Sequence, residues 1–318
     1  MTKDSFKIGI QLPQIEGMRG PGVRSWVELR DMSQTAEGIG LDSLWISDHL
    51  LYRLEGEEQG RGCWEVWSLL SALAEATDRV ELGTLVLAIG WRNPALLAKM
   101  VDTVEEISDG RLILGLGAGY HQLEYDAFGF PFDYRVSRFE EAIQIIHGLI
   151  RNGEIDFSGR FYSARECELK PRGPRKTGPP ILIGSTKPRM LGLAVRYADM
   201  WNAYYDDIHN EVQNYKALSE NLDRACLEGG RDPSSMKRTV TVLMADSTAD
   251  PWWDRLPVDQ LEGAGPLVPL SGSVEELAER FLDYRNCGVS HVQICLEPTT
   301  QETIAALQPI LREIHLRA

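Results

Sequence analysis

Apolar positions along the chain alternate between the period of a buried strand and that of an amphipathic helix. The clearest unit begins at Val80–Ala88, a run that is apolar at successive positions, as in a strand buried on both faces. Asn93 and Pro94 then supply an N-cap and a first-turn proline, and apolar residues follow at helical spacing. A second buried run, Leu112–Leu116, leads into the sequence GLGAG. A compact strand–helix–strand crossover predicts a parallel sheet.

This alternation predicts eight strand–helix units. The predicted strands are Ile8–Pro13, Ser43–Asp48, Val80–Ala88, Leu112–Leu116, Ile181–Ser185, Asp199–Tyr204, Thr239–Ala245 and His291–Glu297. The predicted helices are Val23–Gly40, Trp64–Thr77, Pro94–Ile107, Phe139–Ile150, Arg189–Ala198, His209–Gly229, Val274–Cys287 and Thr303–His315, with a short helical patch at His121–Gly129 before the fourth. None of the strands is polar enough for an exposed edge, so we expect an α/β fold of the (β/α)8 TIM-barrel type.

Two segments interrupt the alternation. Residues 151–180, after the fourth helix, contain a pattern that predicts a β-hairpin turning at Ser158-Gly159, followed by a proline-rich return. Residues 246–271, after the seventh strand, form a loop with Trp252, Trp253 and several prolines. Because no repeat or linker divides the chain, we expect one barrel domain over residues 1–318 with these two insertions.

Composition narrows the function classes. The chain has no apolar run of membrane-spanning length and no signal-type N-terminus, so we expect a cytoplasmic protein. A net charge of −14 argues against nucleic acid and anionic membranes as partners. The five cysteines include no CxxC pair, and the six histidines show neither HExxH nor HxH spacing, so we predict no metal site.

Catalytic groups of such barrels project from the C-terminal ends of the strands, at the mouth of the barrel. Acidic, imidazole, hydroxyl and basic residues follow the second, fourth and fifth predicted strands: Asp48 and His49; Gly117, Ala118, Gly119 and Tyr120; and Gly184, Ser185, Thr186 and Lys187. We expect these residues to share one mouth.

Each group also has a plainer interpretation. Asp48 and His49 are equally compatible with a cap and a loop histidine. GLGAG is not GxGxxG and lacks a ribose-binding acid at the expected distance, so a classical dinucleotide site is not predicted; its glycines favour close approach of a planar ligand. The loop at Gly184 opens a helix, whose N-terminus attracts anions such as phosphate. Trp91 and Tyr120 are candidate walls for a ring.

The chain resembles the bacterial luciferase-like superfamily, and more closely its flavin- and deazaflavin-dependent oxidoreductases. The resemblance extends from the first strand to the last helix and is carried by four stretches: LWISDHLL, WEVWSLLSALAEATDRVELGTLVLAIGWRNPALLAKM, GRLILGLGAGYHQLEYDAFGFPF and PPILIGSTKPRMLGLAVRYADMWN. It implies a barrel that binds coenzyme F420, or alternatively FMN, in the mouth.

The resemblance also implies roles for individual residues. His49 is the expected proton donor or hydrogen-bond partner of the substrate, with Asp48 orienting it. The cofactor ring is expected on a bulge in the third strand, where members often have a non-proline cis peptide; by position this is Thr84-Leu85. The implied cofactor-binding residues further along are Gly117, Ala118 and Gly119 beside the cofactor's side chain, Gly184, Ser185 and Thr186 at its phosphate, and Lys187 and Arg189 near an anionic tail.

Two departures from the family pattern limit what is implied. Deazaflavin enzymes that oxidise sugar phosphates carry an acid where Tyr120 stands, so that activity is not expected. Ser185 replaces a glycine that is common in relatives, which leaves the phosphate contacts open. The two insertions are expected to form a lid that excludes water and selects the substrate.

The leading functional expectation is an F420-dependent two-electron oxidoreductase that transfers a hydride to or from a small organic substrate. The first alternative is an FMN-dependent monooxygenase that uses O2 and reduced flavin, which a partner reductase supplies. The alternative of another class is a catalytically silent flavin-binding protein. The apolar, tryptophan-bearing second and third helices favour a homodimer.

Overall fold

The structure is a computed structural model that describes residues 6–17, 23–54, 57–246 and 267–317. Its strands are β1 (Lys7–Gln11), β2 (Ser43–Ile46), β3 (Leu51–Tyr52), β4 (Arg61–Gly62), β5 (Glu81–Thr84), β6 (Leu87–Ala88), β7 (Leu112–Gly117), β8 (Glu154–Ser158), β9 (Ser163–Glu168), β10 (Ile181–Gly184), β11 (Met200–Ala203), β12 (Lys237–Ala245) and β13 (Val289–Glu297). The helices are α1 (Trp26–Gly38), α2 (Val66–Ala76), α3 (Pro94–Ile107), α4 (Gln122–Phe128), α5 (Arg135–Asn152), α6 (Pro188–Tyr197), α7 (Tyr205–Ile208), α8 (Val212–Glu228), α9 (Val274–Asn286), α10 (Gln301–Ala305) and α11 (Gln308–Arg317). No helix in these ranges is long and apolar enough to cross a membrane.

A closed parallel barrel forms the centre of the molecule. Its strands follow the order β1, β2, β5 with β6, β7, β10, β11, β12 and β13, and every neighbouring pair is parallel. β13 pairs with β1, and β10 pairs with β7 through Ile181 and Leu114, which leaves no open edge. The predicted (β/α)8 barrel is confirmed, with the third strand divided into β5 and β6.

The interior of the barrel is packed with side chains. Trp45, Leu85, Ile113, Leu182 and Met200 form one apolar cluster. On the side made by β11, β12 and β13 the interior is polar: the Asn202 amide nitrogen donates to the Thr239 hydroxyl (2.8 Å) and to the Gln293 side-chain oxygen (3.0 Å). As in other barrels of this type, the filled interior confines a ligand site to the ends of the strands.

The third strand departs from its predicted continuous course over Val80–Ala88. Its regular pairing extends to Thr84, opposite Ile46, and the Leu85 N–H still donates to the Ile46 carbonyl at 2.8 Å. The Thr84 hydroxyl also holds the next strand, because it donates to the Gly115 carbonyl (2.8 Å) and accepts from the Gly115 N–H (2.9 Å). A cis peptide follows at Leu85-Val86, one residue later than the expected Thr84-Leu85. These contacts keep Thr84 in the regular strand, so the interruption begins after Leu85.

The predicted helix His209–Gly229 corresponds to α8, which begins only at Val212 and is preceded by a short helix, α7, that was not predicted. His209 and Asn210 separate the two with left-handed φ values of 51° and 57°. The Asn210 amide donates to the carbonyls of Leu243 and Val268, both at 2.8 Å, and its oxygen accepts from the Leu243 N–H at 3.0 Å. Long-range contacts with β12 therefore override the local helical pattern, and Asn tolerates this conformation better than most residues.

The first insertion forms the predicted hairpin, β8 with β9, on the outer side of α5. Glu141 of α5 accepts hydrogen bonds from the backbone N–H groups of residues 160–162 at the hairpin turn. The proline-rich return lies against α3 instead, where Arg172 pairs with Asp102 at 3.0 Å and Arg175 pairs with Glu105. These contacts place the return at the C-terminal half of α3, which in a barrel lies at the end opposite the mouth. The expectation that all of 154–180 forms a lid is therefore wrong for the proline-rich return.

The second insertion falls largely outside the described residues, which omit 247–266 and therefore Trp252 and Trp253. Its two ends are joined to each other. The Ala245 N–H donates to the Leu270 carbonyl at 3.2 Å, and the Leu270 N–H donates to the Leu243 carbonyl at 2.8 Å. The chain therefore leaves β12 and returns to it at the same place.

At Gly115, β7 approaches the backbone of the third strand so closely that a side chain would not fit. A Cβ at this position would overlap the Thr84 carbonyl oxygen, which cannot move without breaking the barrel wall. We expect Gly115→Ala to destabilise the protein by about 1–3 kcal/mol, since overpacking against backbone has no cheap relief. Urea unfolding followed by circular dichroism measures the change.

Gly192→Ala is the matched control. Gly192 lies inside α6 and a Cβ there meets no atom within 4 Å. Its replacement should raise stability by up to about 1 kcal/mol, the helix-propensity difference between the two residues. Equal effects of the two substitutions would contradict the close approach at Gly115.

Candidate active site

Asp48 lies just beyond β2 and is almost completely buried. Its carboxylate makes a bidentate pair with Arg92, with nitrogen–oxygen distances of 2.6 and 3.0 Å, and accepts from the Ala88 N–H of β6 at 3.0 Å. Arg92 also contacts Glu65, which caps α2, at 3.0 Å. Burial raises the pKa of the Asp48 carboxyl, and Arg92 and the Ala88 N–H oppose that rise. Asp48 therefore anchors the interrupted third strand, and the expectation that it orients His49 is wrong.

The residue that orients His49 is Glu124 of α4. The Glu124 Oε2 atom lies 2.9 Å from the His49 Nδ1 atom. The other carboxylate oxygen accepts from the backbone N–H groups of Leu50 (2.6 Å) and Leu51 (3.0 Å). The Glu124 side chain is fully buried, whereas 12% of the His49 side chain is exposed. One carboxylate thus fixes both the imidazole and the backbone that follows it.

Three aromatic side chains surround the imidazole. The ring centroids of Tyr52, Tyr120 and His121 lie 4.8, 6.0 and 6.4 Å from that of His49, all edge-on. Tyr52 is brought there by the small antiparallel pair β3–β4, which the sequence pattern did not predict. Tyr120 remains 59% exposed, so it is available as a wall for a ligand, as expected. The Nε2 atom of His121 and the Nε atom of Arg53 are buried without a hydrogen-bond partner.

The interruption of the third strand directs Val86 toward the glycines of β7 and β10. A Cβ at Gly117 would lie 2.6 Å from a Val86 methyl group, and one at Gly184 would lie 3.4 Å from the other. Val86 is partly exposed, whereas Thr84 and Leu85 are buried in the barrel wall and interior. The side chain that the bulge offers to a ligand is therefore Val86, and Thr84 and Leu85 support it from behind.

Gly119 and Ala118 are shaped by a neighbouring tyrosine. Gly119 has φ +74°, and a Cβ there would overlap the hydroxyl of Tyr125. That hydroxyl donates to the Ala118 carbonyl at 3.0 Å. Tyr125 follows Glu124 on α4, so this short helix fixes both the glycine loop and His49.

The loop after β10 has the features of an anion site. The Trp201 indole N–H holds the Ser185 carbonyl at 2.8 Å, and the Lys187 N–H donates to the Ser185 hydroxyl at 3.4 Å. Lys187 precedes α6 without capping it through its side chain, so the first N–H groups of the helix remain available. The Thr186 hydroxyl donates to the carboxylate of Asp207 at 3.2 Å, an acidic neighbour that the sequence analysis missed.

A second acid, Asp206, faces the aromatic group around His49. Burial and the adjacent Asp207 raise the pKa of Asp206 to about 7. Burial raises the pKa of the Tyr52 hydroxyl, and the charge of Asp206 adds to that rise. The charge of Asp206 thus acts on the aromatic group around His49, and Asp207 contacts the loop after β10.

Comparison with known proteins identifies the family. A family model described as luciferase-like monooxygenase matches residues 7–266, which is most of the chain. The chain belongs to this family. An F420-dependent glucose-6-phosphate dehydrogenase from Amycolatopsis mediterranei is 34% identical over 78% of this chain and 72% of its own length. A 5,10-methylenetetrahydromethanopterin reductase from Archaeoglobus fulgidus is 29% identical over 71% of this chain and 61% of its own.

Other members of the family differ in chemistry. A pyrimidine monooxygenase, RutA, from a Bradyrhizobium strain is 29% identical over 58% of this chain and 51% of its own length. Among solved structures, an F420-dependent secondary alcohol dehydrogenase has a TM-score of 0.79 at 18% identity, covering 98% of this chain and 99% of that one. At that identity the likeness supports the barrel fold alone.

His49 and Tyr120, both expected at the mouth, have ring centroids 6.0 Å apart, whereas the residues that hold His49 were not predicted. Glu124 is 75 residues from His49 in the chain, and its only local signal is its place in the stretch GYHQLEYDAFG. Arg92 and Val86 lie in quoted stretches as well but carry no pattern that indicates their roles.

Asp206 gives a pH-dependent prediction. An aspartate in the unfolded chain ionises near pH 4, while in the folded protein its pKa is about 7. The folded state therefore binds the extra proton between these values, and its stability falls as pH rises through this window. We expect Asp206→Asn to unfold at a higher temperature than the wild type at pH 8, with the difference shrinking toward pH 4. A difference independent of pH in thermal unfolding would contradict this.

Proposed function

We propose that this protein is a coenzyme F420-dependent oxidoreductase that transfers a hydride between the cofactor and a small organic substrate. The observation that carries the proposal is the imidazole of His49 at the mouth of the barrel, held by a buried carboxylate and surrounded by aromatic walls. Membership of the luciferase-like family and F420-dependent relatives support this assignment.

The residues at the mouth fit such a cofactor. The Ser185 and Thr186 hydroxyls and the first N–H groups of α6 would hold its phosphate, and the exposed Lys187 side chain adds positive charge. Val86 would support one face of the ring. When bound, the deazaflavin or flavin supplies or accepts the hydride. The unpartnered nitrogens of His121 and Arg53 are donors available to an oxygen-bearing ligand.

His49 would exchange the proton that accompanies hydride transfer. An imidazole can both donate and accept a proton near neutral pH. Its Nδ1 atom is engaged by Glu124, so the exchange falls to Nε2. Tyr52, Tyr120 and His121 lie around the imidazole and leave 12% of the His49 side chain exposed. Because Tyr120 stands where sugar-phosphate dehydrogenases carry an acid, we propose a substrate other than a sugar phosphate.

The alternative within the same family is an FMN-dependent monooxygenase, which the Bradyrhizobium relative favours. Such an enzyme would depend on a reductase for reduced flavin and would consume O2. A deazaflavin has carbon at the position where a flavin reacts with O2, so oxygen uptake during turnover separates the two. A catalytically silent flavin-binding protein would bind a cofactor and show no turnover.

Titration of the purified protein with F420 and with FMN, followed by cofactor fluorescence, tests the assignment. We expect tight binding of F420 and turnover without oxygen uptake. His49→Ala should lower kcat by about 10²-fold or more, the usual contribution of a proton-transfer group, and leave cofactor affinity within about threefold. His315→Ala is the control, because His315 is exposed on α11, where its Nδ1 atom is hydrogen bonded to the Leu311 carbonyl. Tight binding of reduced FMN with oxygen uptake would overturn the proposal.

We also propose that the protein is a homodimer through the faces of α2 and α3. Trp64, just before α2, and Leu96 on α3 are 47% and 57% exposed. The two helices pack against each other, and an exposed apolar patch is typical of a protein interface. Light scattering should give a mass near twice the 35.7 kDa of the chain, and Leu96→Glu should shift it toward the monomer. A monomeric wild type would refute this.

A further inference from the structure

We propose that Glu124 is a positioning residue that fixes the hydrogen of neutral His49 on Nδ1 and leaves Nε2 as the proton-exchanging atom. The inference rests on the proposed function for its catalytic meaning, although the tautomer itself is a property of the protein alone. No pattern in the sequence pointed to this residue.

The contacts of the Glu124 carboxylate decide which atom of the Glu124–His49 pair carries the hydrogen. Two of its three partners, the Leu50 and Leu51 N–H groups, can only donate. The third, His49 Nδ1, lies 2.9 Å from Oε2. An ionised carboxylate has only acceptors, so Nδ1 must be the donor in this pair. The alternative, a protonated Glu124 that donates to Nδ1, would place the imidazole hydrogen on Nε2.

The other groups that face His49 do not compete with Glu124. Tyr52, Tyr120 and His121 approach the ring edge-on at centroid distances of 4.8 Å or more. The carboxylate of Asp48, the preceding residue, is occupied by Arg92 and the Ala88 N–H. Burial lowers the pKa of His121; the Glu124 charge opposes this shift, His49 and Arg53 add to it, and the net lowering favours a neutral neighbour.

The remaining nitrogen of His49 is the one open to a ligand. Nε2 has no hydrogen-bond partner among the described residues and is not among their buried unpartnered atoms. Glu124 thus engages the inner nitrogen and leaves the outer one free, an arrangement in which the carboxylate orients the ring and stabilises its cationic form.

The proton balance follows from this arrangement. If a substrate hydroxyl is oxidised, His49 Nε2 would take the O–H proton while the C–H electron pair would leave as hydride to the oxidised cofactor. The imidazole then carries hydrogens on both nitrogens, and its positive charge lies beside the Glu124 carboxylate. In the reductive direction the same proton returns from Nε2 to the substrate oxygen.

Glu124→Gln is the decisive variant. Its amide oxygen can still accept from the Leu50 and Leu51 N–H groups, so the backbone remains held. Its amide nitrogen would then face Nδ1 as a donor, which requires Nδ1 to accept and moves the ring hydrogen to Nε2. The substitution therefore keeps the shape of the site and reverses the tautomer.

The tautomer is read by NMR of the 15N-histidine-labelled protein without cofactor, with His49 assigned through His49→Gln. We expect the Nδ1–H form in the wild type and the Nε2–H form in Glu124→Gln. Glu105→Gln is the control. Glu105 is also fully buried, but it lies on α3 and pairs with Arg175, away from the mouth. It should leave the His49 signals unchanged.

Turnover supplies the second readout. With F420 and a working substrate, Glu124→Gln should lower kcat by about 10²-fold or more and leave KM and cofactor affinity within about threefold. An Nε2–H wild type, or an unchanged tautomer in the variant, would overturn the role of Glu124. Failure of F420 binding with the expected tautomers would overturn the proposed function and leave the positioning role intact.

Discussion

The site depends on how the interrupted third strand is held between its two neighbours. On one side the Thr84 hydroxyl binds both the N–H and the carbonyl of Gly115, which fixes the strand up to its last regular residue. On the other side the Asp48 carboxylate holds the Ala88 N–H where the strand resumes. Between these two attachments Val86 is directed to the mouth, and the glycines at 117 and 184 leave it room. Loss of the Thr84 hydroxyl, or a methyl group added at Gly117, would disturb this geometry.

Much of the fold could be predicted from the sequence because its strongest signals are local. The eight units show alternating periods of apolar residues, and caps such as Asn93 mark helix starts. The errors arose where distant residues decide the outcome. Asn210 bonds to the carbonyls of Leu243 and Val268, which delays to Val212 the start of a helix that the local pattern begins at His209. The regular course of the third strand at Thr84 likewise depends on a residue of another strand, Gly115.

The candidate site divides in the same way. His49 and Tyr120 could be placed at the mouth from their positions after strands, since barrel topology brings strand ends together. Their partners could not, because a buried carboxylate 75 residues away leaves no periodic trace in the sequence. Asp48 shows the opposite error: adjacency in sequence suggested a partner for His49, whereas consecutive residues at the end of a strand point to opposite sides. Chain proximity is therefore poor evidence of contact at such positions.

The second insertion is attached to the barrel at one place, so the barrel depends little on the sequence of the insertion. Ala245 and Leu270 are hydrogen bonded to each other, so the residues between them depart from and return to a single point. The entropy of closing a loop changes slowly with its length once the ends are fixed. The intervening segment can therefore be lengthened, shortened or exchanged with little change in the energy of the barrel.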